Sequence, residues 1–275
     1  MFGKKVKIGI AFGGGGARGF SHLGAIKAFE EFGLKFDFVA GTSAGSLAGA
    51  FYAAGFSYKE MYNVVKDIKE KDIRKNIIPF TPSKLDGVGD ILIKNLGDIN
   101  IEDLKTPFAA VAVDIKSTKE ICIAKGNLAK AVMGSCAVPG VFQPVVYNDM
   151  ILCDGGLQNT IPADIPRYFD CDYVISVDVN KSRTYGTEST KIIDVLSCSI
   201  RILMKSNAVR GYVNSDLIIA PETKRFKSTS TDGMEDMIEE GYRATIDAMP
   251  KIMEIFSRKR KNKKKYSNNE IKFIR

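Results

Sequence analysis

Phe38-Val39-Ala40-Gly41-Thr42-Ser43-Ala44-Gly45-Ser46-Leu47-Ala48-Gly49-Ala50 decides how this chain is to be read. A short apolar strand over Phe36–Ala40 runs directly into Gly41-Thr42-Ser43-Ala44-Gly45, and small residues suited to a closely packed helix follow. Strand, sharp turn and helix in that order, with GxSxG at the turn, is the form of a nucleophile elbow. Gly41 and Gly45 permit a tight turn that lifts Ser43 above the strand end. The helix behind it aims its N-terminal dipole and free amides at the same point. A GxSxG pentapeptide is short enough to arise by chance, so its surroundings have to carry the reading.

Upstream, Val6–Phe12 is a continuous apolar run, the pattern of a strand buried on both faces. It leads into Gly13-Gly14-Gly15-Gly16-Ala17-Arg18-Gly19, a loop able to present bare backbone amides to an anion. Leu23, Ile26, Phe29 and Phe32 then mark a helix that stops at Gly33. A βαβ unit of this size is right-handed and sets its two strands side by side, so the glycine loop and Ser43 are expected at one sheet edge.

Downstream, a helix over 43–54 is closed by Gly55, and Ser57 with Glu60 forms a capping box for the next. From Ile73 to Gly97 the pattern loosens around Pro79, Pro82, Gly87 and Gly89, which reads as an irregular cap over the site edge. Strands at 108–115 and 120–124, a hairpin at 145–153 ending in Asp154-Gly155-Gly156, and strands at 173–179 and 217–220 complete the pattern. Helices at 192–205 and 234–256 alternate with them, the last with Asp232 and Glu235 as its N-terminal box and with Met237, Ile238, Tyr242, Ile246, Met249 and Met253 on its buried face. This predicts an α/β fold, a three-layer α/β/α sandwich with a mainly parallel central sheet, as one domain over residues 1–257.

The composition fits that picture and excludes other classes. A chain of 275 residues that is 45% hydrophobic and 26% charged can bury a full core. No apolar run approaches the roughly 18 residues a spanning helix needs. Five cysteines, Cys122, Cys136, Cys153, Cys171 and Cys198, are scattered in apolar contexts without CxxC pairs, as reduced core thiols of a cytoplasmic protein would be. Of the net charge of +8, seven cations come from one block, Arg258, Lys259, Arg260, Lys261, Lys263, Lys264 and Lys265, leaving a nearly neutral body.

Taken together, GGGARG at 14–19, GTSAG at 41–45 and DGG at 154–156 resemble the patatin-like phospholipases, serine acyl hydrolases with a Ser-Asp dyad. The resemblance extends over about Val6–Val179 and includes SCAVPGVFQP and MILCDGGLQNTIP. It implies that Ser43 is the nucleophile, Asp154 its partner, and the amides of Gly14, Gly15 and Gly16 the oxyanion hole. It further implies a lipid ester substrate, no cofactor and no metal.

The residues alone lead to a compatible answer. A Ser-His-Asp triad needs a histidine, and the only one is His22, which precedes the serine where the α/β-hydrolase order requires it to follow. A carboxylate is therefore the expected base. Asp154 ends an apolar strand before two glycines, where a partly dry site would raise its pKa. Asp114 and Asp178 also end strands and stay open as rivals, although no glycine pair follows them. Arg18 is a possible contact for an anionic head group, or else an ion-pair partner.

Two readings from other classes compete with the hydrolase. Gly14-x-Gly16-x-x-Gly19 between strand and helix satisfies a dinucleotide-binding fingerprint, but the end of the second strand holds Gly41-Thr42-Ser43 in place of a ribose-binding acid. The basic block makes a noncatalytic membrane or nucleic-acid binder the third reading. With nothing apolar to bury, residues 258–275 are expected to be a disordered tail. Its cations could hold the protein peripherally at the anionic inner membrane surface, whereas specific nucleic-acid recognition is not expected.

Overall fold

The structure is a computed structural model that describes residues 6–68, 82–182, 186–258 and 271–274. Its centre is a sheet in the order β5-β6-β3-β2-β1-β7-β8, with β4 on β3 and β9 on β4. The strands are β1 Ile8–Phe12, β2 Phe38–Thr42, β3 Phe108–Asp114, β4 Lys119–Ile123, β5 Val145–Tyr147, β6 Met150–Asp154, β7 Tyr173–Val177, β8 Leu217–Ile219 and β9 Ile271–Ile274. The pairs β1–β2, β1–β7, β2–β3, β7–β8 and β4–β9 are parallel, while β3–β4, β3–β6 and β5–β6 are antiparallel.

Strand alternation divides the core into two layers. Ile8, Ile10 and Phe12 of β1, Val39 of β2, Phe108 and Ala110 of β3 and Ile175 of β7 share one cluster. It is covered by α1 Phe20–Glu31, α2 Ala44–Ala54, α3 Tyr58–Val65, α4 Asp86–Leu96 and α5 Leu128–Ser135. Ala11, Ala40, Ala109 and Val174 point the other way, into a smaller cluster under α6 Asp164–Tyr168. The helices α7 Ile192–Ser206, α8 Ala208–Asn214 and α9 Met234–Ser257 follow, α9 lying against α1 on the first face. The protein is thus a three-layer α/β/α sandwich with a mainly parallel sheet.

Two local expectations are corrected. The described part of the 73–97 segment is not irregular: Asp86–Leu96 is an α-helix, with Gly87 and Gly89 inside it, and residues 73–81 lie outside the described residues. A Cβ on Gly89 would meet Met133 Sδ at 2.7 Å, so a larger residue there would have to move the Met133 side chain. The end of the basic segment is not tail-like either, because Ile271–Ile274 pairs in parallel with β4, and Phe273 packs edge-on against Tyr168 at 5.2 Å. Lys259–Lys265 lie outside the described residues.

Candidate active site

The sheet brings two chain ends together over one residue. β2 pairs with β3 as far as Thr42↔Val111, and β6 pairs with it from Ala112↔Asp154 onward. β4 spans Ala110–Asp114, which overlaps both stretches, so it occupies the other edge of β3. β2 and β6 therefore share one edge end to end, the first leaving as Ser43 begins the elbow and the second arriving with Asp154. Ser135, at the end of α5, ties the junction: its Oγ accepts the Ser43 N–H at 2.9 Å and donates to the Val111 carbonyl at 2.6 Å. Thr42 Oγ1 donates to the Asn159 carbonyl at 2.8 Å, fixing the last residue of β2.

Ser43 takes φ 53 and ψ −128, a backbone region L-residues seldom occupy and one that costs on the order of 1–3 kcal/mol. The turn survives because its flanks leave no room to relax. A Cβ on Gly41 would lie 2.5 Å from the Gly45 carbonyl oxygen, and one on Gly45 would lie 2.1 Å from that of Phe12. The Ser43 carbonyl accepts from the Ser46 N–H at 2.8 Å and the Ser46 hydroxyl at 2.7 Å, which locks the entry to α2. Ser43 is only 7% exposed and lines a mainly apolar cavity of about 300 Å3. Leu47 and Phe51 of α2, Val88 and Ile91 of α4, and Met204 of α7 are among its walls.

Asp154 is fully buried. Its Oδ1 accepts the Gly156 N–H at 2.8 Å, while Oδ2 has no hydrogen-bond partner among the described residues. Burial pushes the carboxyl up to about 6, opposed by the Ser43 hydroxyl and the Gly156 N–H. The two functional groups are therefore neighbours, without a bond of hydrogen-bonding length to Oδ2. The nearby Cys136 thiol is pushed up to about 12 by burial and by the Asp154 charge, which leaves it neutral.

The rival carboxylates have other work. Asp114 accepts the Lys116, Ser117 and Ile151 N–H groups, and these bonds with the Ser117 hydroxyl hold its pKa down despite burial. Asp178 accepts the Asn180 N–H at 2.8 Å and the Tyr212 hydroxyl at 2.7 Å. His22 is buried, donates from Nε2 to the Gly13 carbonyl at 2.8 Å, and packs edge-on against Phe12 at 5.1 Å. Burial lowers its pKa to about 4, so it is a neutral support of the glycine loop.

The glycine loop reaches Ser43, since a Cβ on Gly14 would sit 3.3 Å from Ser43 Cβ. Its amides are not equivalent. The Gly13 N–H donates to Val177, that of Gly14 to Thr160, and that of Ala17 to Ser228. Gly14 is thus already committed as a donor, a correction to the predicted set, and only the Gly15 and Gly16 N–H groups have no acceptor among the described residues. Asn180 Nδ2 donates to the Gly14 carbonyl at 2.6 Å, fixing the orientation of that peptide. Arg18 is buried in the cavity wall and donates to the Phe226 carbonyl at 3.5 Å.

Ser135, Asn159 and Asn180, which hold Ser43, Thr42 and Gly14 in place, are marked by no motif in the sequence. Asn159 bridges further, donating to Glu120 at 3.0 Å and Asp164 at 2.9 Å, both of which hold Arg210 of α8. Burial and the neighbouring Asp164 push the Glu120 carboxyl up, and Arg210 opposes them. Such side chains have no local signature, because each acts across a separation only the fold closes.

The chain is similar to known proteins in sequence and in fold. The family model for patatin-like phospholipase matches residues 10–167. The NTE family protein Rv1063c of Mycobacterium tuberculosis is 32% identical over 184 residues, covering 64% of this chain and 50% of that protein. Lysophospholipase NTE1 of Eremothecium gossypii is 31% identical over 181 residues, covering 62% of this chain and 12% of that protein. This chain therefore spans half or less of the length of these relatives. Among solved structures, VipD from Legionella pneumophila superposes with a TM-score of 0.64 at 13% identity, over 90% of this chain and 67% of that one. That likeness carries the fold, and the match over residues 10–167, which takes in the glycine loop, the elbow and Asp154, carries the family: the chain belongs to the patatin-like phospholipases.

Proposed function

We propose that the protein is a serine acyl hydrolase that cleaves carboxylic ester bonds of lipids, of the phospholipase A or lysophospholipase type. The observation that carries this reading is the buried Asp154 Oδ2, without a hydrogen bond, beside a strained Ser43. A carboxylate with a pKa near 6 is ionised at neutral pH and a stronger base than a surface aspartate. Asp154 takes the Ser43 proton as Oγ attacks the ester carbonyl. The oxyanion that forms faces the Gly15 and Gly16 N–H groups, where each donor is worth about 3–4 kcal/mol. Collapse breaks the ester C–O bond, Asp154 returns the proton to the departing alcohol, and the acyl group stays on Ser43. Water then attacks with Asp154 again as base, releasing a fatty acid.

The apolar cavity supports an acyl chain as the part of the substrate it holds, and Arg18 in its wall supports contact with an anionic head group. The name of the Eremothecium gossypii relative supports a lysophospholipid as one substrate to try first. Peripheral contact with anionic membrane through Arg258 and Lys259–Lys265 belongs to the same reading. Arg258 itself pairs with Glu254 at 2.8 Å and lies over the Tyr173 ring at 5.6 Å. Tyr173 starts β7, which is parallel to β1 and β2, so this is the sheet edge opposite Ser43.

Labelling by a fluorophosphonate probe and release of fatty acid from lysophosphatidylcholine test the reading. Both are expected for the wild type and both are expected to vanish in Ser43→Ala, which removes the attacking oxygen and no core contact. Turnover by Ser43→Ala within severalfold of wild type would end the proposal.

A further inference from the structure

The helix α7 lines the cavity with one face and leaves an apolar face on the opposite side. Ser197, Ile200, Arg201, Met204 and Lys205 line the cavity that holds Ser43. The C-terminal end of α7 is fastened to the site: Thr160 Oγ1 donates to the Met204 carbonyl at 2.6 Å, and Met204 fills the space a Cβ on Gly156 would need. The opposite face carries Ile192, Val195, Leu196, Ser199, Ile202, Leu203 and Ser206, a spacing of three and four residues that makes one continuous stripe. Ile192 is 78% exposed and Leu203 60%, and no α7 residue whose side chain is described is fully buried. Val209 and Val213 of α8 are exposed beyond the end of the stripe.

An apolar face of this extent in water marks a contact surface. The polar residues within it are made compatible with an apolar medium. Ser199 Oγ donates back to the Val195 carbonyl at 2.9 Å, and Ser206 Oγ to that of Ile202 at 3.2 Å, so neither hydroxyl demands water. The exposed charges alongside are Lys191, Arg201 and Lys205 against Asp194, an excess of cations suited to anionic phosphates. Arg201 and Lys205 also line the cavity.

We infer that the α7–α8 outer face is the surface on which this protein sits on a phospholipid bilayer, with α7 forming the wall between the membrane and the cavity. The inference rests on the lipid-hydrolase reading for its choice of partner. An acyl chain leaving a bilayer under Ile192, Leu196 and Leu203 would have only one helix to pass before reaching Ser43. This face is distinct from the basic segment, whose described member Arg258 lies at the far sheet edge.

The chain has no tryptophan, so one introduced residue reports on one place. Leu196→Trp and Leu203→Trp keep the face apolar, and Phe32→Trp, at the exposed end of α1, serves as the remote control. All are made in the Ser43→Ala background, so binding is read without turnover and survives a failure of the hydrolase reading. With vesicles of phosphatidylcholine and phosphatidylglycerol, emission at positions 196 and 203 should shift to the blue and be quenched by brominated acyl chains, while that at 32 should not change. The triple variant Ile192→Ser, Leu196→Ser, Leu203→Ser should bind these vesicles at least about tenfold more weakly. Its kcat/KM on a soluble short-chain ester, measured with Ser43 restored, should stay within about twofold of wild type. Absence of a blue shift at both positions, or an equal shift at 32, overturns the inference. So does a dimer in lipid-free solution that the triple variant converts to monomer, which would assign the face to a second copy of the chain.

Discussion

Asp154→Asn should abolish turnover and make the folded protein more stable. The buried carboxyl has its pKa raised from 3.8 to about 6, so the folded chain holds a charge it would rather neutralise. A shift of about two pKa units corresponds to about 3 kcal/mol of differential stability. The sign follows from linkage. Between pH 6 and 4 the folded chain binds the proton and the unfolded chain does not, so Asp154 destabilises the fold fully above about 6 and not at all below about 4. Asparagine removes the charge, keeps an oxygen to accept from Gly156, and can point its amide toward the Ser43 hydroxyl. At pH 8 the variant should therefore gain up to about 3 kcal/mol, about 5 °C in Tm for a chain of this size. The gain should shrink toward zero at pH 4. Urea unfolding of both proteins at the two pH values measures it. A variant less stable than wild type at pH 8, or a difference that does not depend on pH, would refute the account of Asp154 as a buried, dry base.

Gly15→Val would place its Cβ 2.2 Å from Val179 Cγ2 and turn the donor amides away from the developing oxyanion, so kcat should fall about 100- to 1000-fold with little change in KM. A rise in KM at constant kcat would remove the loop from transition-state stabilisation. With a soluble ester, kcat/KM should fall with unit slope as the pH drops below about 6, where Asp154 gains its proton; a profile flat to pH 5 would mean another base. Replacing Lys259–Lys265 by glutamine, with Ile271–Ile274 left in place, should weaken binding to anionic vesicles by up to about 1 kcal/mol per cation near the surface. Equal binding before and after would leave the block without a membrane role.

The first half of the site was legible because its chemistry is local. The Gly41–Gly45 turn, the capping box of Ser57 with Glu60, and the hairpin through Asn148 are each written within a few consecutive residues, and the structure contains all three. What stayed hidden depends on partners far away in the chain. Gly14 looks identical to Gly15 in sequence, and only the position of Thr160 distinguishes a committed amide from an open one. The helix Asp86–Leu96 was obscured by Gly87 and Gly89, which read as breakers although both lie inside it, Gly89 close against Met133. The expected box of Asp232 with Glu235 is absent because Gly233, with φ 76, starts α9 and Asp232 accepts from Ser230 instead. Likewise Met253, placed on the buried face by its spacing, is 45% exposed.

The end-to-end meeting of β2 and β6 on β3 also bears on when the candidate site can be complete. The elbow, the glycine loop and β3 come early in the chain, whereas the carboxylate arrives only after β4, α5 and β5. A nascent chain can therefore complete the elbow around Ser43 long before it has Asp154. Pairing β6 to the last three positions of β3 is also the step that brings Asp154 to the junction over Val111. A slip of one residue in that antiparallel register would turn Asp154 to the opposite face of the sheet, leaving a folded strand and no carboxylate beside Ser43. Completion of the candidate site thus depends on a long-range strand pairing, and a chain that stops before β6 carries Ser43 without Asp154 beside it.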